Sequence, residues 1–206
     1  ELIKERAIKC AEEFGISKAY TVDELISDPN IDIVVNLTTP HAHAEINLAA
    51  IQSGKSVYCE KPFAITREDG LKTLDAAAKK GVLAGGAPDT FLGAGLQTCR
   101  KIIDDGLIGK PVAATAFMLC HGHEGWHPDP EFYYKTGGGP MFDMGPYYLT
   151  ALISLMGPIS RVTGSANITF AERKITSQAK YGEIIKVDVP THVAGILDFS
   201  NGARSE

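Results

Sequence analysis

Apolar positions along the first ninety residues alternate between two rhythms. Over residues 3–14, Ala7, Ile8, Ala11 and Phe14 fall on one face at helical spacing, and Gly15 follows as a natural C-terminal stop. Thr21-Val22-Asp23-Glu24 reads as a capping box opening a short helix that Asp28-Pro29-Asn30 ends. The apolar run from Ile31 to Leu37 then predicts a strand ending in the polar turn Thr38-Thr39-Pro40. A helix over 44–53 closed by Gly54, a strand over 57–59, a helix opened by Thr66 and reaching Lys80-Gly81, and a strand over 82–84 continue the alternation. Strands and helices of these lengths in turn argue for an α/β unit with a parallel sheet covered on both faces.

After Gly86 the rhythm changes. A helix is expected over 95–105, a Gly106/Gly109 turn after it, a strand over 112–120, and a helix over 140–155 following the triple glycine 137–139. Alternating stretches at 162–168 and 193–199 read as strands. This is the pattern of an α+β domain, so two domains are expected, at 1–91 and 92–206. Neither internal repeats nor low-complexity segments interrupt them.

Composition narrows the function classes. With 206 residues and 44% apolar content, the chain can bury roughly 70% of its unfolded surface, enough for one large or two small domains. The net charge of −5 and the lack of any Lys/Arg run interleaved with aromatics argue against a nucleic-acid partner. No stretch approaches the ~20 consecutive apolar residues that a membrane-spanning helix needs, so no membrane partner is expected. Cys10, Cys59, Cys99 and Cys120 lie far apart without a Cys-x-x-Cys pair, which fits neither a zinc knuckle nor a disulfide framework and suits a reducing cytoplasm.

The chemistry concentrates at expected strand ends. Cys59-Glu60-Lys61-Pro62 follows the run Ser56-Val57-Tyr58, which places a lysine at the carboxyl end of a parallel strand, where open α/β sheets bind ligands. Thr38-Thr39-Pro40 and His43 follow the preceding strand in the same way. Taken together, Thr39-Pro40, His43, Gly54-Lys55, Glu60-Lys61-Pro62 and the downstream run Gly137-Gly138-Gly139-Pro140-Met141-Phe142-Asp143-Met144-Gly145-Pro146-Tyr147 resemble the glucose-fructose oxidoreductase/inositol dehydrogenase/rhizopine-catabolism family. The likeness covers most of the chain. It implies a Rossmann-like doubly wound sheet followed by an α+β substrate domain, and NAD or NADP as cofactor. No strand is followed by Gly-x-Gly-x-x-Gly, and Gly93-Ala94-Gly95-Leu96-Gln97-Thr98 is better read as a helix entry. On the resemblance, the first strand and its glycine turn would lie upstream of Glu1, and both domains are expected to be incomplete.

Oxidising a secondary alcohol removes a hydroxyl proton while hydride leaves carbon. An amine accepts such a proton once burial or a neighbouring cation brings its pKa from ~10.4 toward neutrality. Lys61 is the candidate, against the competing reading of a surface lysine paired with Glu60. Lys61-Pro62 also admits a cis peptide. Asp143 and Tyr147 lie four apart on the expected helix and so share a face. Many relatives in the resembling family carry histidine at the position of Tyr147, while tyrosine there looks like its glucose-fructose oxidoreductase and dihydrodiol dehydrogenase branch. A phenol of pKa near 10 is a hydroxyl donor and a poor base at neutral pH. Tyr147 is therefore expected to polarise the substrate oxygen and Asp143 to orient the substrate or Lys61, the competing readings being an aromatic packed among Phe142, Tyr148 and Leu149 and a carboxylate in a helix turn.

His121-Gly122-His123-Glu124 with Trp126-His127 has the look of a metal cluster, yet no further Cys/His pair completes a ligand set, and no metal is expected. Trp126 and His127 read instead as a substrate-facing loop, with a buried structural tryptophan as the alternative. Thr38, Thr39, Pro40, His43, Glu60 and Lys61 are the cofactor-side candidates. Glu1 matches the family position at which an acid binds the adenosine ribose, which mildly favours NAD over NADP, with Lys4 and Arg6 pulling the other way. Asp89 is a further crevice candidate or a turn residue. The expected function is hydride transfer between nicotinamide and a hydroxyl of a sugar, inositol or related polyol, in a protein that is a homo-oligomer at full length. The alternatives are an NAD-dependent glycosidase that recycles its cofactor, or a non-catalytic dinucleotide-binding sensor or repressor.

Overall fold

A computed structural model describes residues 3–200 and the backbone of 204–205. The chain divides into two compact units, Glu1–Ala87 and Pro88–Glu206. The division comes before the 91/92 boundary read from the sequence, because the 3-10 turn Asp89–Leu92 packs on a helix of the second unit, Gly145–Met156.

The first unit runs α1 (Lys4–Phe14), α2 (Val22–Ser27), β1 (Ile33–Asn36), α3 (His43–Gln52), β2 (Ser56–Cys59), α4 (Arg67–Lys80) and β3 (Ala84–Gly86). The capping box forms: Glu24 N–H donates to Thr21 Oγ1 and Thr21 N–H to the Glu24 carboxylate. Thr66 caps α4 by accepting from Asp69 N–H at 3.1 Å. The three strands are parallel in the order β1-β2-β3, with Val34 opposite Val57 and Val57 opposite Ala84. Alternation along β1 turns Val34 and Asn36 inward and leaves Ile33 and Val35 exposed. Val34 and Val57 meet Ile26, Ala50, Ile51 and Ala77, so α2, α3 and α4 supply the core. Ile33, Val35 and Tyr58 lie on the other face of the sheet and are exposed among the described residues. Lys55, an unusual buried lysine, donates to the Asp28 and Ile31 carbonyls, both at 2.7 Å, and ties the end of α2 to the approach of β1.

The second unit contains α5 (Ala94–Asp104), β4 (Ala113–Ala114), a 3-10 helix at Pro130–Tyr134, α6 (Gly139–Asp143), α7 (Gly145–Met156), β5 (Ile159–Asn167), β6 (Glu172–Lys174), β7 (Ile184–Lys186), β8 (His192–Phe199) and β9 (Arg204–Ser205). Its main sheet has the order β4-β9-β8-β5, with β5 and β8 antiparallel over their whole length. Met156 and Phe199 pack with Ala114, Leu152, Leu155, Ile159 and Leu197 under this sheet. A separate small core joins Tyr133 and Tyr134 to Ile175, Ile185 and Val187 beneath the β6–β7 hairpin. Arg100 grips Asp104 with two nitrogens and donates to the Ser154 carbonyl at 2.6 Å, linking α5 to α7.

Two sequence expectations need correction here. The strand expected at 112–120 pairs only at Ala113–Ala114; Val112, Phe117 and Leu119 are exposed and find no ladder among the described residues. The helix expected over 140–155 forms as two, α6 and α7, meeting at Met144, which keeps right-handed helical angles (φ −113°, ψ −30°) and an N–H bond to the Pro140 carbonyl. Pro146 explains the break: it has no N–H to continue the ladder and suits the first turn of a new helix.

Candidate active site

In the first unit, every described cofactor-side candidate falls at the carboxyl ends of β1 and β2. Asn36, the last residue of β1, is buried, and its side-chain amide donates to the His43 carbonyl at 3.2 Å and to Asn47 Oδ1 at 2.8 Å. Its Oδ1 accepts from the Thr38 hydroxyl at 2.7 Å and from Thr38 N–H. Thr39 precedes a 3-10 turn whose first residue is Pro40, and α3 begins at His43. His43 is fully buried. Its Nδ1 lies 2.6 Å from the Pro62 carbonyl and its Nε2 2.9 Å from the Thr38 carbonyl. Both partners are acceptors, and which nitrogen donates depends on the tautomer. His43 thus ties the loop after β1 to the loop after β2. The Lys61-Pro62 peptide is cis. Glu60 accepts from Lys61 N–H at 2.7 Å, so its carboxylate braces the backbone of the lysine. Cys59, buried just before them, has its thiol pushed up by burial. Glu1 lies outside the described residues.

This edge fits a dinucleotide. The threonine hydroxyl, the backbone at the start of α3 and the lysine arise from neighbouring strand ends of one parallel sheet, the place where such sheets receive ligands.

In the second unit the residues from 121 to 143 form a compact aromatic and acidic cluster. The His123 and Tyr133 rings stack at 3.9 Å and 18°. Trp126 lies 4.9 Å from His123 and 5.3 Å from His127, and His127 meets Phe132 edge-on at 5.0 Å. Trp126 is 66% exposed among the described residues. His127 Nδ1 accepts from Asp129 N–H at 3.0 Å, which fixes that ring. Asp143 closes α6 and its Oδ2 lies 3.4 Å from His123 Nε2. Asp143 ends α6 and Tyr147 lies, half-buried, in the first turn of α7, with Met144 between the two helices.

The two histidines suspected of metal binding turn to different carboxylates: His121 Nδ1 lies 3.3 Å from Glu124, while His123 faces Asp143. Glu124 is the buried hub of the hairpin core, accepting from Tyr134 and from Arg173. Burial works to raise its carboxyl, but the Tyr134 hydroxyl and the Arg173 guanidinium outweigh that and hold it below the ordinary glutamate range. The same contact, added to burial, pushes the Tyr134 phenol up to about 12. Burial first, then the nearby Cys120 and Asp143, also raises Tyr133. Asp89 opens the 3-10 turn against α7, in keeping with a turn role.

Family models match both units. The oxidoreductase family with NAD-binding Rossmann fold, GFO/IDH/MocA, covers residues 3–86, and the GFO/IDH/MocA C-terminal domain covers 96–206. The chain belongs to this family. Among curated relatives, 1,5-anhydro-D-fructose reductase of Ensifer adhaerens is 40% identical over 145 residues, covering 68% of this chain and 42% of that protein. Levoglucosan dehydrogenase of Pseudarthrobacter phenanthrenivorans is 30% identical over 217 residues, covering 97% and 54%. Among solved structures, a levoglucosan dehydrogenase in its apo form superposes with a TM-score of 0.88 at 26% identity over all of this chain and 55% of that one. A levoglucosan dehydrogenase complexed with NADH and levoglucosan gives 0.83 at 28%, with the same coverage. The chain thus spans about half the length of the relatives it matches, and its first unit is the family's NAD-binding Rossmann domain.

Sequence reasoning missed Asn36 and Asn47, and it read His123 as a metal-ligand candidate without its pairing to Asp143. An asparagine closing an apolar strand is a readable signal for the first; the pairing of His123 with Asp143 crosses twenty residues and a loop, and has no local signature.

Proposed function

We propose that the protein is an NAD-dependent oxidoreductase that moves hydride between nicotinamide and a hydroxyl of a sugar, inositol or related polyol. The observation that carries this reading is Lys61 at the carboxyl end of β2 in an NAD-binding family domain, its loop tied by His43 to Thr38. NAD, when bound, supplies the hydride acceptor. Lys61 in its neutral form takes the hydroxyl proton as the C–H bond breaks and the carbonyl forms. Thr38, Thr39, Pro40, His43 and Glu60 shape and brace the cofactor edge. Asp143 orients the substrate, Tyr147 donates a hydrogen bond to its oxygen, and the exposed indole of Trp126, with His127 edge-on beside it, offers an aromatic face to a sugar ring. NAD is preferred to NADP in this reading.

Among the described residues no helix is long and apolar enough to cross a membrane, and all four cysteines are free. We place the protein in the cytoplasm on the strength of those free thiols. We expect the complete protein to be a homo-oligomer, which light scattering tests.

The decisive assay follows nicotinamide absorbance with the complete reading frame, NAD or NADP, and a panel of sugars, inositols and polyols. Reduction is the expected result. Lys61→Ala is expected to lower turnover by about 10²–10⁴ while cofactor still binds. Full turnover in that variant removes Lys61 from the chemistry. Cofactor binding without net reduction on any compound shifts the reading to a redox-recycling glycosidase or a sensor.

A further inference from the structure

We propose that His123 is a positioning residue for this reaction, holding the carboxylate of Asp143 in the orientation that meets the substrate. The proposal rests on the oxidoreductase reading above and adds to it a residue from outside the lysine, aspartate and tyrosine set. Its Nε2 lies 3.4 Å from Asp143 Oδ2, and both side chains are nearly withdrawn from water, at 11% and 16% exposed. At that separation and burial, the position of one group depends on the other far more than in an exposed pair.

The imidazole is itself fixed. Tyr133 stacks on one face at 3.9 Å, Phe132 meets it edge-on at 6.0 Å, and Trp126 lies at 4.9 Å. Its backbone is held by the turn in which His127 N–H donates to the His123 carbonyl at 3.0 Å, and its own N–H donates to the Tyr134 hydroxyl. Those fixings matter because Asp143 stands at the very end of a five-residue helix, just before the break at Met144, where the backbone alone specifies a side chain poorly. Tyr147, on the next helix, is a phenol and a hydroxyl donor, so the carboxylate of Asp143 and the imidazole of His123 are the acid–base partners that meet in this cluster. The groups facing His123 include Asp143 from α6, Tyr133 and Phe132 from the 3-10 helix, and Trp126 and His127 from its own turn.

The test compares His123→Leu and His123→Gln in the complete protein. Leucine keeps an apolar contact on Tyr133 and removes the donor; glutamine restores a donor near the Nε2 position without a titrating ring. With a reactive polyol, His123→Leu is expected to lower kcat/KM by about 10²-fold, the scale of misorienting a reacting group. Melting temperature and NAD affinity should stay near wild type. His123→Gln should recover most of that loss and flatten the acid side of the kcat/KM profile. Wild-type kcat/KM in His123→Leu, or a glutamine variant no better than leucine, overturns the proposal. A second readout needs no turnover: nitrogen-resolved NMR of the histidine side chains, with His127 assigned separately. The His123 titration should move in Asp143→Asn and stay put in Lys61→Ala, and an unmoved titration in Asp143→Asn overturns the pairing. If the wild-type protein reduces no nicotinamide, the oxidoreductase reading fails while this NMR result still decides the pair.

Discussion

Glu124 shows how one residue gathers several physical effects. The sequence presents it beside two histidines as a ligand candidate, whereas its carboxylate is buried between the Tyr134 hydroxyl and the Arg173 guanidinium, with its own carbonyl accepting from Thr176 and Ser177 N–H at 2.9 Å. Its folded pKa is lowered, so the stability it contributes is full above the ordinary glutamate value of 4.5 and drains away as pH falls through the folded value beneath it. Glu124→Gln, which leaves Arg173 without its counter-charge, is expected to cost roughly 3 kcal/mol at neutral pH. Urea unfolding at pH 7 and again below pH 4 checks this: the gap between variant and wild type should narrow in acid, and an unchanged gap rules the charge out as its source. His43 carries a comparable lesson. A histidine at a helix start reads as a cap or a ligand, but here both ring nitrogens are spent on carbonyls of two loops.

At the level of elements, agreement between sequence and structure follows how local the cause is. The capping box at Thr21 and the Thr66 cap form as read, because each is decided within four residues. The helix expected over 140–155 forms as two, α6 and α7, because Pro146 acts on a ladder that apolar spacing alone reports as continuous. The triple glycine has a packing reason. A Cβ on Gly138 would sit 2.8 Å from the Tyr133 carbonyl oxygen, and Gly139 has a φ of +75° with Val189 and Pro190 close by. Gly138→Ala is therefore expected to destabilise the second unit by roughly 1–3 kcal/mol and to displace α6, which carries Asp143. Urea denaturation, together with the His123 signal described above, measures both effects; an alanine variant as stable as wild type removes the close approach as a constraint.

For the whole molecule, separate cores in the two units make ligand linkage the informative measurement. A cofactor that binds only the folded first unit adds about 2.7 kcal/mol at a hundredfold excess over its dissociation constant. In the complete protein, saturating NAD should raise the melting temperature of the first unit more than an equal concentration of NADP does. Equal shifts overturn the NAD preference, and no shift with either overturns cofactor binding at this edge.

The sequence by itself determined the family, the alternation of strands and helices in the first unit, and the placement of Thr38, Thr39, Pro40, Glu60 and Lys61 at strand ends, since periodicity and turn chemistry act over a few residues. Only the tertiary structure decided that His43 bridges two loops, that Glu124 belongs to the hairpin core and that His123 faces Asp143. Each of those contacts joins elements distant in sequence, where burial and the demand that buried polar groups find partners choose among many possible pairs.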